Sequence, residues 1–151
     1  LAQRGGVVSS HIRLGEDALT PLVPEGEADL VLALERLEAL RGAAQYLKPG
    51  GRVLYYDTAY QPVSVRAGQA HYPTVEEVKK EVEEMGGQAE AVRAGEMRDP
   101  RMQNSALLGR LAALALIPGI PAATIEEILT EMAPPAALEE NLAIFRAAKA
   151  Q

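Results

Sequence analysis

The sequence predicts a three-layer α/β/α fold with a mostly parallel, mixed sheet and a helical C-terminus. Three observations carry that prediction. Asp29–Leu34 (DLVLAL) is a continuous apolar run, which suits a strand covered on both faces. Helical periodicity follows at once, and a Lys-Pro-Gly-Gly stop leads into a second apolar run, Arg52–Asp57 (RVLYYD). Strand, helix and strand in that order make a βαβ unit, whose strands run parallel. From Met102 onward, every periodic segment is helical.

The elements follow in order. Val7–Leu14 alternates, with Val8, Ser10, Ile12 and Leu14 on one side and Val7, Ser9, His11 and Arg13 on the other. This predicts a strand with one apolar and one polar face. Gly15-Glu16-Asp17 is a turn, and Ala18–Val23, crossed by Pro21 and followed by Pro24, is an edge or loop. The helix predicted over Glu35–Leu47 places Leu37, Leu40, Ala44 and Leu47 on one stripe, and Lys48-Pro49-Gly50-Gly51 stops it. Thr58–Tyr72 lacks periodicity, and a connection that long in a compact domain is usually functional or mobile.

Thr74-Val75-Glu76-Glu77 is a capping box. It opens a helix that turns Val75, Val78, Val82 and Met85 inward and ends at Gly86-Gly87. Gln88–Arg93 is a further strand candidate. Met102–Ile117 is apolar nearly all round and is broken by Pro118 and Pro121, so it is either a central core helix or one face of an interface. Leu107, Leu108, Leu111, Leu114 and Ile117, with Ala112 and Ala115, surround that helix. A domain this small is expected to leave part of such a surface for a partner, so the working protein is not a monomer. A second capping box, Thr124-Ile125-Glu126-Glu127, is expected to open a helix to Met132. After Pro134-Pro135, Ala136–Lys149 forms the last helix, with Leu138, Leu142 and Phe145 inward.

Composition narrows the chemistry. The 151 residues fit one domain, 1–151, with 48% hydrophobic and 24% charged residues. The absence of cysteine excludes disulfides, thiolate zinc sites, iron–sulfur ligation and a cysteine nucleophile from this stretch. A net charge of −6 argues against nucleic acid as a partner. The apolar run Leu111–Ile117 is far short of the roughly 20 residues a membrane span needs. No signal peptide is visible, so no membrane association and a cytoplasmic location are expected. The chain opens at Leu1 in what reads as the middle of a fold, and an upstream segment is expected.

Few residues stand out as chemical. Arg4-Gly5-Gly6 sets a guanidinium beside two glycines before the first strand. The glycines would let backbone approach a ligand while arginine grips a phosphate or carboxylate, although an ordinary turn has the same spacing. Ser9, His11 and Arg13 share a strand face, which also describes any solvent-facing strand. Glu35, Glu38 and Arg41 read as a solvated ladder on one helix face. Asn104 is expected to fix local backbone by hydrogen bonding.

Two families compete for Ala28–Thr58. Asp29-Leu30-Val31 followed by Leu47-Lys48-Pro49-Gly50-Gly51-Arg52-Val53 resembles the strand–helix–LKPGG stretch of class I methyltransferases. A non-catalytic α/β binding domain is the other alternative. A longer match favours a different family. The run Ala2–Gly15 (AQRGGVVSSHIRLG) resembles the corresponding segment of the gamma-type domain of 2-oxoacid:ferredoxin oxidoreductases. The resemblance continues collinearly through Pro21–Pro24, Ala28–Glu35, Leu37–Arg41, Tyr46–Gly51, Tyr72-Pro73, Asn104–Gly109 and Glu140–Leu142. The AQRGG opening and Asn141–Phe145 look most like the beta-subunit branch of the indolepyruvate-type enzymes. Departures are the absence of the family's glycine-rich N-terminal strand–loop–helix, Arg36 where proline is common, and Ala147-Ala148 for Ala-Gly.

The resemblance implies a subunit that carries no cofactor. Thiamine diphosphate and [4Fe–4S] clusters would belong to a large partner subunit, with coenzyme A as co-substrate and ferredoxin reached through the complex. The assembled enzyme would oxidatively decarboxylate a 2-oxoacid to an acyl-coenzyme A, and a homodimer is expected when the chain is isolated. By the same resemblance, Arg4, Gly5, Gly6, Ser9 and His11 form the candidate ligand- or partner-facing edge, with no catalytic residue on this chain.

Overall fold

The computed structural model describes residues 8–16, 18–58 and 71–151. Three strands, β1 (Ala28–Ala33), β2 (Leu47–Tyr56) and β3 (Gln88–Val92), form a sheet in the order β1-β2-β3. Both pairings are parallel, Val31 lying opposite Val53 and Leu54 opposite Glu90. Helix α1 (Arg36–Tyr46) joins β1 to β2, and α2 (Val75–Glu84) precedes β3. Helices α3 (Gln103–Ala113), α4 (Ala122–Met132) and α5 (Leu138–Lys149) complete the chain. The predicted three-layer α/β fold is therefore present, and the pairings among the described residues are all parallel.

Strand alternation divides the core in two. From β2, Val53 and Tyr55 face α1 and α2, packing with Ala39, Ala43, Val78 and Val82. Leu54 and Tyr56 face the other way, into Ala106, Leu107, Leu111, Ile125 and Phe145 of the C-terminal helices. The strand covered on both faces is thus β2. In β1, Leu32 is 46% exposed, because the C-terminal helices pack over β2 and β3 instead.

Several boundaries depart from the sequence expectations. Residues 8–14 form no strand, and Val8, Ile12 and Leu14 lie exposed along irregular backbone. Alternation specifies a strand only where a neighbour takes up its hydrogen bonds and its apolar face. In α1 the buried positions are Ala39 and Ala43, whereas Ala44 is exposed. Small residues win that face because helix and sheet approach closely there: a Cβ on Gly42 would lie 2.8 Å from the Val31 side chain. The Lys-Pro-Gly-Gly stop is already part of β2. Lys48 pairs with Asp29 of β1 at 2.5 Å.

Helix α2 begins at the predicted capping box, with the Thr74 hydroxyl accepting from the Glu77 N–H at 3.1 Å. It ends as predicted, with Gly86 at φ +81° and the Gly87 N–H donating to the Val82 carbonyl at 2.9 Å. Met85, expected inside, is exposed. Helix α3 stops at Ala113, ahead of either proline, because Ala115 adopts a left-handed φ of +49°. The Ala115 and Leu116 N–H groups then donate to the carbonyls of Ala112 and Leu111. The second capping box does not form: α4 begins two residues before Thr124, after Pro121, with no side-chain cap. The apolar surface of α3 is largely covered, since α4 and α5 pack on it and bury Leu107, Leu111 and Ala112. Leu108, Leu114 and Ile117 remain half-buried and Ala115 exposed, so only part of the expected apolar surface is left uncovered.

Candidate functional site

In a parallel α/β sheet, ligands bind beyond the carboxyl ends of the strands. Here that end carries a polar cluster. Asp57 follows β2 directly, and its side chain is 3% exposed. Arg36, the first residue of α1, donates from Nε to Asp57 Oδ1 at 2.6 Å. Arg93, just beyond β3, donates from Nε to Oδ2, also at 2.6 Å. A second Arg36 nitrogen donates to the Pro73 carbonyl at 3.2 Å. Glu35 caps α1, accepting from the N–H groups of Leu37 and Glu38. The Tyr72 hydroxyl donates to the same carboxylate at 2.5 Å, with the Thr58 carbonyl at 3.1 Å as a second acceptor.

The electrostatics follow from these contacts. Burial pushes the Asp57 carboxyl up, but hydrogen bonds from Arg36 and Arg93 outweigh it and hold the group below the ordinary carboxylate range. The bond to Asp57 raises the Arg36 guanidinium. Burial, then the bond to Glu35, moves the Tyr72 phenol well above its usual value. Asp57 and Arg36 are thereby held charged and Tyr72 neutral near neutrality, which suits them to orient and hold neighbouring backbone.

The residues singled out in the sequence lie elsewhere. Arg4, Gly5 and Gly6 fall outside the described residues. Ser9 is exposed, while His11 is half-buried against Tyr46, the last residue of α1, with ring centroids 4.9 Å apart. The Val23 N–H donates to His11 Nδ1 at 3.1 Å, so the neutral ring carries its proton on Nε2. Thr20, Leu22 and Glu25 border the shallow depression beside it. Because α1 runs from the carboxyl end of β1 to the amino end of β2, His11 and Asp57 sit near opposite ends of the sheet. At a rise of about 1.5 Å per residue, the 11 residues of α1 put roughly 16 Å between them.

Sequence reasoning missed the cluster. Glu35, expected in a solvated ladder, turns to Tyr72 instead, and only Glu38 and Arg41 fit that ladder, pairing at 2.5 Å on the surface. An acidic residue ending a parallel strand was the available signal for Asp57, and Tyr72-Pro73 already stood among the motifs of the resemblance. Asn104 is exposed, and its neighbour Ser105 makes the buried bond, donating to Asn141 Oδ1 at 2.6 Å.

A family model described as pyruvate ferredoxin/flavodoxin oxidoreductase matches residues 1–151. The chain belongs to this family. It is also 38% identical, over 96% of its length and 73% of the relative's, to indolepyruvate oxidoreductase subunit IorB of Thermococcus kodakarensis. The protein of the same name from Pyrococcus horikoshii is 37% identical over the same shares. That from Methanothermobacter thermautotrophicus is 33% identical over 97% of this chain and 75% of its own. The strand–helix–LKPGG stretch is therefore the β1–α1–β2 unit of an oxidoreductase-family domain, and the methyltransferase likeness is confined to that unit. These relatives are named as subunits of an oxidoreductase.

The 151 residues include no cysteine to ligate an iron–sulfur cluster. Among the described residues, no three His, Asp or Glu side chains converge to hold the cation that a bound diphosphate requires. No helix among them is long and apolar enough to cross a membrane.

Proposed function

We propose that this chain is the non-cofactor subunit of an indolepyruvate-type 2-oxoacid:ferredoxin oxidoreductase, working in the cytoplasm. The match over residues 1–151 together with relatives named as indolepyruvate oxidoreductase subunits supports this reading. The enzyme would break the bond between carboxyl and carbonyl carbons of a 2-oxoacid and release carbon dioxide. The acyl group would pass to the sulfur of coenzyme A, and the electrons to ferredoxin. Thiamine diphosphate and [4Fe–4S] clusters would sit on the large partner subunit. This chain alone would be inactive, closing and orienting the site from outside, with Arg4, Gly5, Gly6, Ser9 and His11 as its ligand- or partner-facing edge.

Co-expression with the large subunit, followed by ferredoxin reduction with several 2-oxoacids and coenzyme A, tests the reading. Activity is expected from the complex and from neither subunit alone. A complex inert toward every 2-oxoacid, or this chain reducing ferredoxin unaided, overturns it. In the active complex, Arg4→Ala should raise the coenzyme A Michaelis constant or weaken subunit affinity by about tenfold to a hundredfold, the effect of one charge-assisted pair. Unchanged kinetics and affinity would make Arg4 part of an ordinary turn.

A further inference from the structure

We propose that Arg36 is a positioning residue that, with Glu35 and Tyr72, clamps both ends of the β2–α2 connection onto the first turn of α1. The geometry bridges three segments distant in sequence. Arg36 reaches the β2 side through Asp57 at 2.6 Å and the α2 side through the Pro73 carbonyl at 3.2 Å. The Tyr72 hydroxyl forms the second bridge, to Glu35 at 2.5 Å and to the Thr58 carbonyl at 3.1 Å. The Arg36 guanidinium also lies over the Tyr72 ring, 5.9 Å from its centroid. One helical turn thus holds residues 57–58 and 72–73 together.

The arrangement needs arginine in particular. A planar fork donates in two directions at once, here to a carboxylate and to a backbone carbonyl, which a lysine ammonium matches poorly. Asp57 is nearly buried and also binds Arg93 beyond β3, so the clamp ties together the carboxyl ends of both strands and the starts of α1 and α2. These contacts lie at the rim where α/β sheets bind ligands. Whatever docks on that rim meets a surface set by Arg36. Its role in the assembled oxidoreductase rests on the function proposed above.

Hydrogen exchange on the isolated chain tests the clamp, comparing wild type with Arg36→Gln, Arg36→Lys and Tyr72→Phe. Arg36→Gln and Tyr72→Phe should each speed exchange in peptides spanning residues 56–58 and 71–74 by about tenfold, the equivalent of one lost hydrogen bond. Arg36→Lys should keep part of the protection, and peptides from α3 and α5 should not change. Tyr72→Phe leaves the Arg36–Asp57 pair intact, so it decides the matter if Arg36→Gln fails to fold. Unchanged exchange at both sets of peptides, or acceleration spread evenly along the chain, overturns the clamp. In the complex, Arg36→Gln should raise a Michaelis constant or weaken subunit affinity severalfold while kcat moves less, with partial recovery in Arg36→Lys. Local exchange changes with unaltered kinetics and affinity remove Arg36 from the reaction. A wild-type complex without activity removes the functional reading and leaves the exchange result standing.

Discussion

Gly109→Ala should destabilise the domain, although alanine is the better helix former. Gly109 lies on α3 where α5 passes closest. A Cβ there would stand 2.2 Å from the Phe145 carbonyl oxygen, 3.0 Å from its carbonyl carbon and 3.2 Å from the Ala148 Cβ. The first distance is more than 1 Å short of ordinary contact, and the obstacle is backbone, so no side-chain rotation relieves it. Helix α5 has to retreat, loosening Phe145, Ala148 and Leu111, all of them essentially inaccessible to solvent. Overpacking of this kind costs about 1–3 kcal/mol, and the rigid obstacle puts this case at the upper end. Helix propensity returns about 1 kcal/mol. The net loss is about 2 kcal/mol, a fall in Tm of about 4–8 °C for a domain of this size. Thermal and urea unfolding followed by circular dichroism measures it. Gly95→Ala, where a Cβ meets nothing within 4 Å, is the control and should stay within about 0.5 kcal/mol of wild type. An unchanged or raised Tm in Gly109→Ala would refute the close crossing of α3 and α5.

Three further outcomes can be measured the same way. The Tyr55 hydroxyl is buried and makes no hydrogen bond with the described residues, so Tyr55→Phe should leave stability unchanged or raise it by up to about 1 kcal/mol. Burial pushes that phenol up to about 12. Its contribution is therefore complete below its ordinary value of 10.0 and is lost as pH rises toward 12, an alkaline loss that Tyr55→Phe should lack. Asp57 behaves in the opposite sense: its folded carboxyl lies below 3.8, so its contribution holds above that value and disappears as pH falls through the folded value. Urea unfolding between neutrality and acid pH should show Asp57→Asn losing stability near neutrality and titrating less steeply below it. Ala115→Gly should stabilise by about 0.5–1 kcal/mol, because a left-handed alanine costs about 1–2 kcal/mol and glycine returns part of that as unfolded-state entropy.

How far the sequence revealed this structure depended on whether the signal was local. The Thr74 capping box and the Gly86-Gly87 stop rest on contacts within a few residues, and both formed; the βαβ unit pairs Val31 with Val53 across one short helix, and it formed too. Val8–Leu14 has an equally clear period but no sheet neighbour among the described residues, and Val8, Ile12 and Leu14 lie exposed. Thr124-Ile125-Glu126-Glu127 has the same spacing as the box at Thr74, but Pro121 starts the helix first. A motif read in isolation does not show which competing start wins. The same limit applies to the site. Glu35 looked like a surface carboxylate because Tyr72, its partner, lies 37 positions away. Asp57 stands in the sequence only as the last residue of the run Arg52–Asp57, because its partners Arg36 and Arg93 reach it from separate elements.

The motifs that identify the family follow a different physical logic from the residues expected to work. Asn104–Gly109 and Glu140–Phe145 are far apart in sequence, and the fold brings them together as a helix crossing. Ser105 donates to Asn141, Asn141 Nδ2 holds the Ala137 carbonyl, and Gly109 leaves room for the Phe145 backbone. A close helix crossing tolerates few side chains, so it leaves a strong sequence signature without touching substrate. Gly109 belongs to the packing of the helix crossing, whereas Arg36 lies at the rim of the sheet, bonded to Asp57 and the Pro73 carbonyl. Gly109→Ala should therefore lower Tm, whereas Arg36→Gln should change local exchange before it changes global stability. If Arg36→Gln instead lowered Tm as Gly109→Ala does while exchange rose uniformly, the rim would be core by another name, and the division between packing signature and working surface would fail.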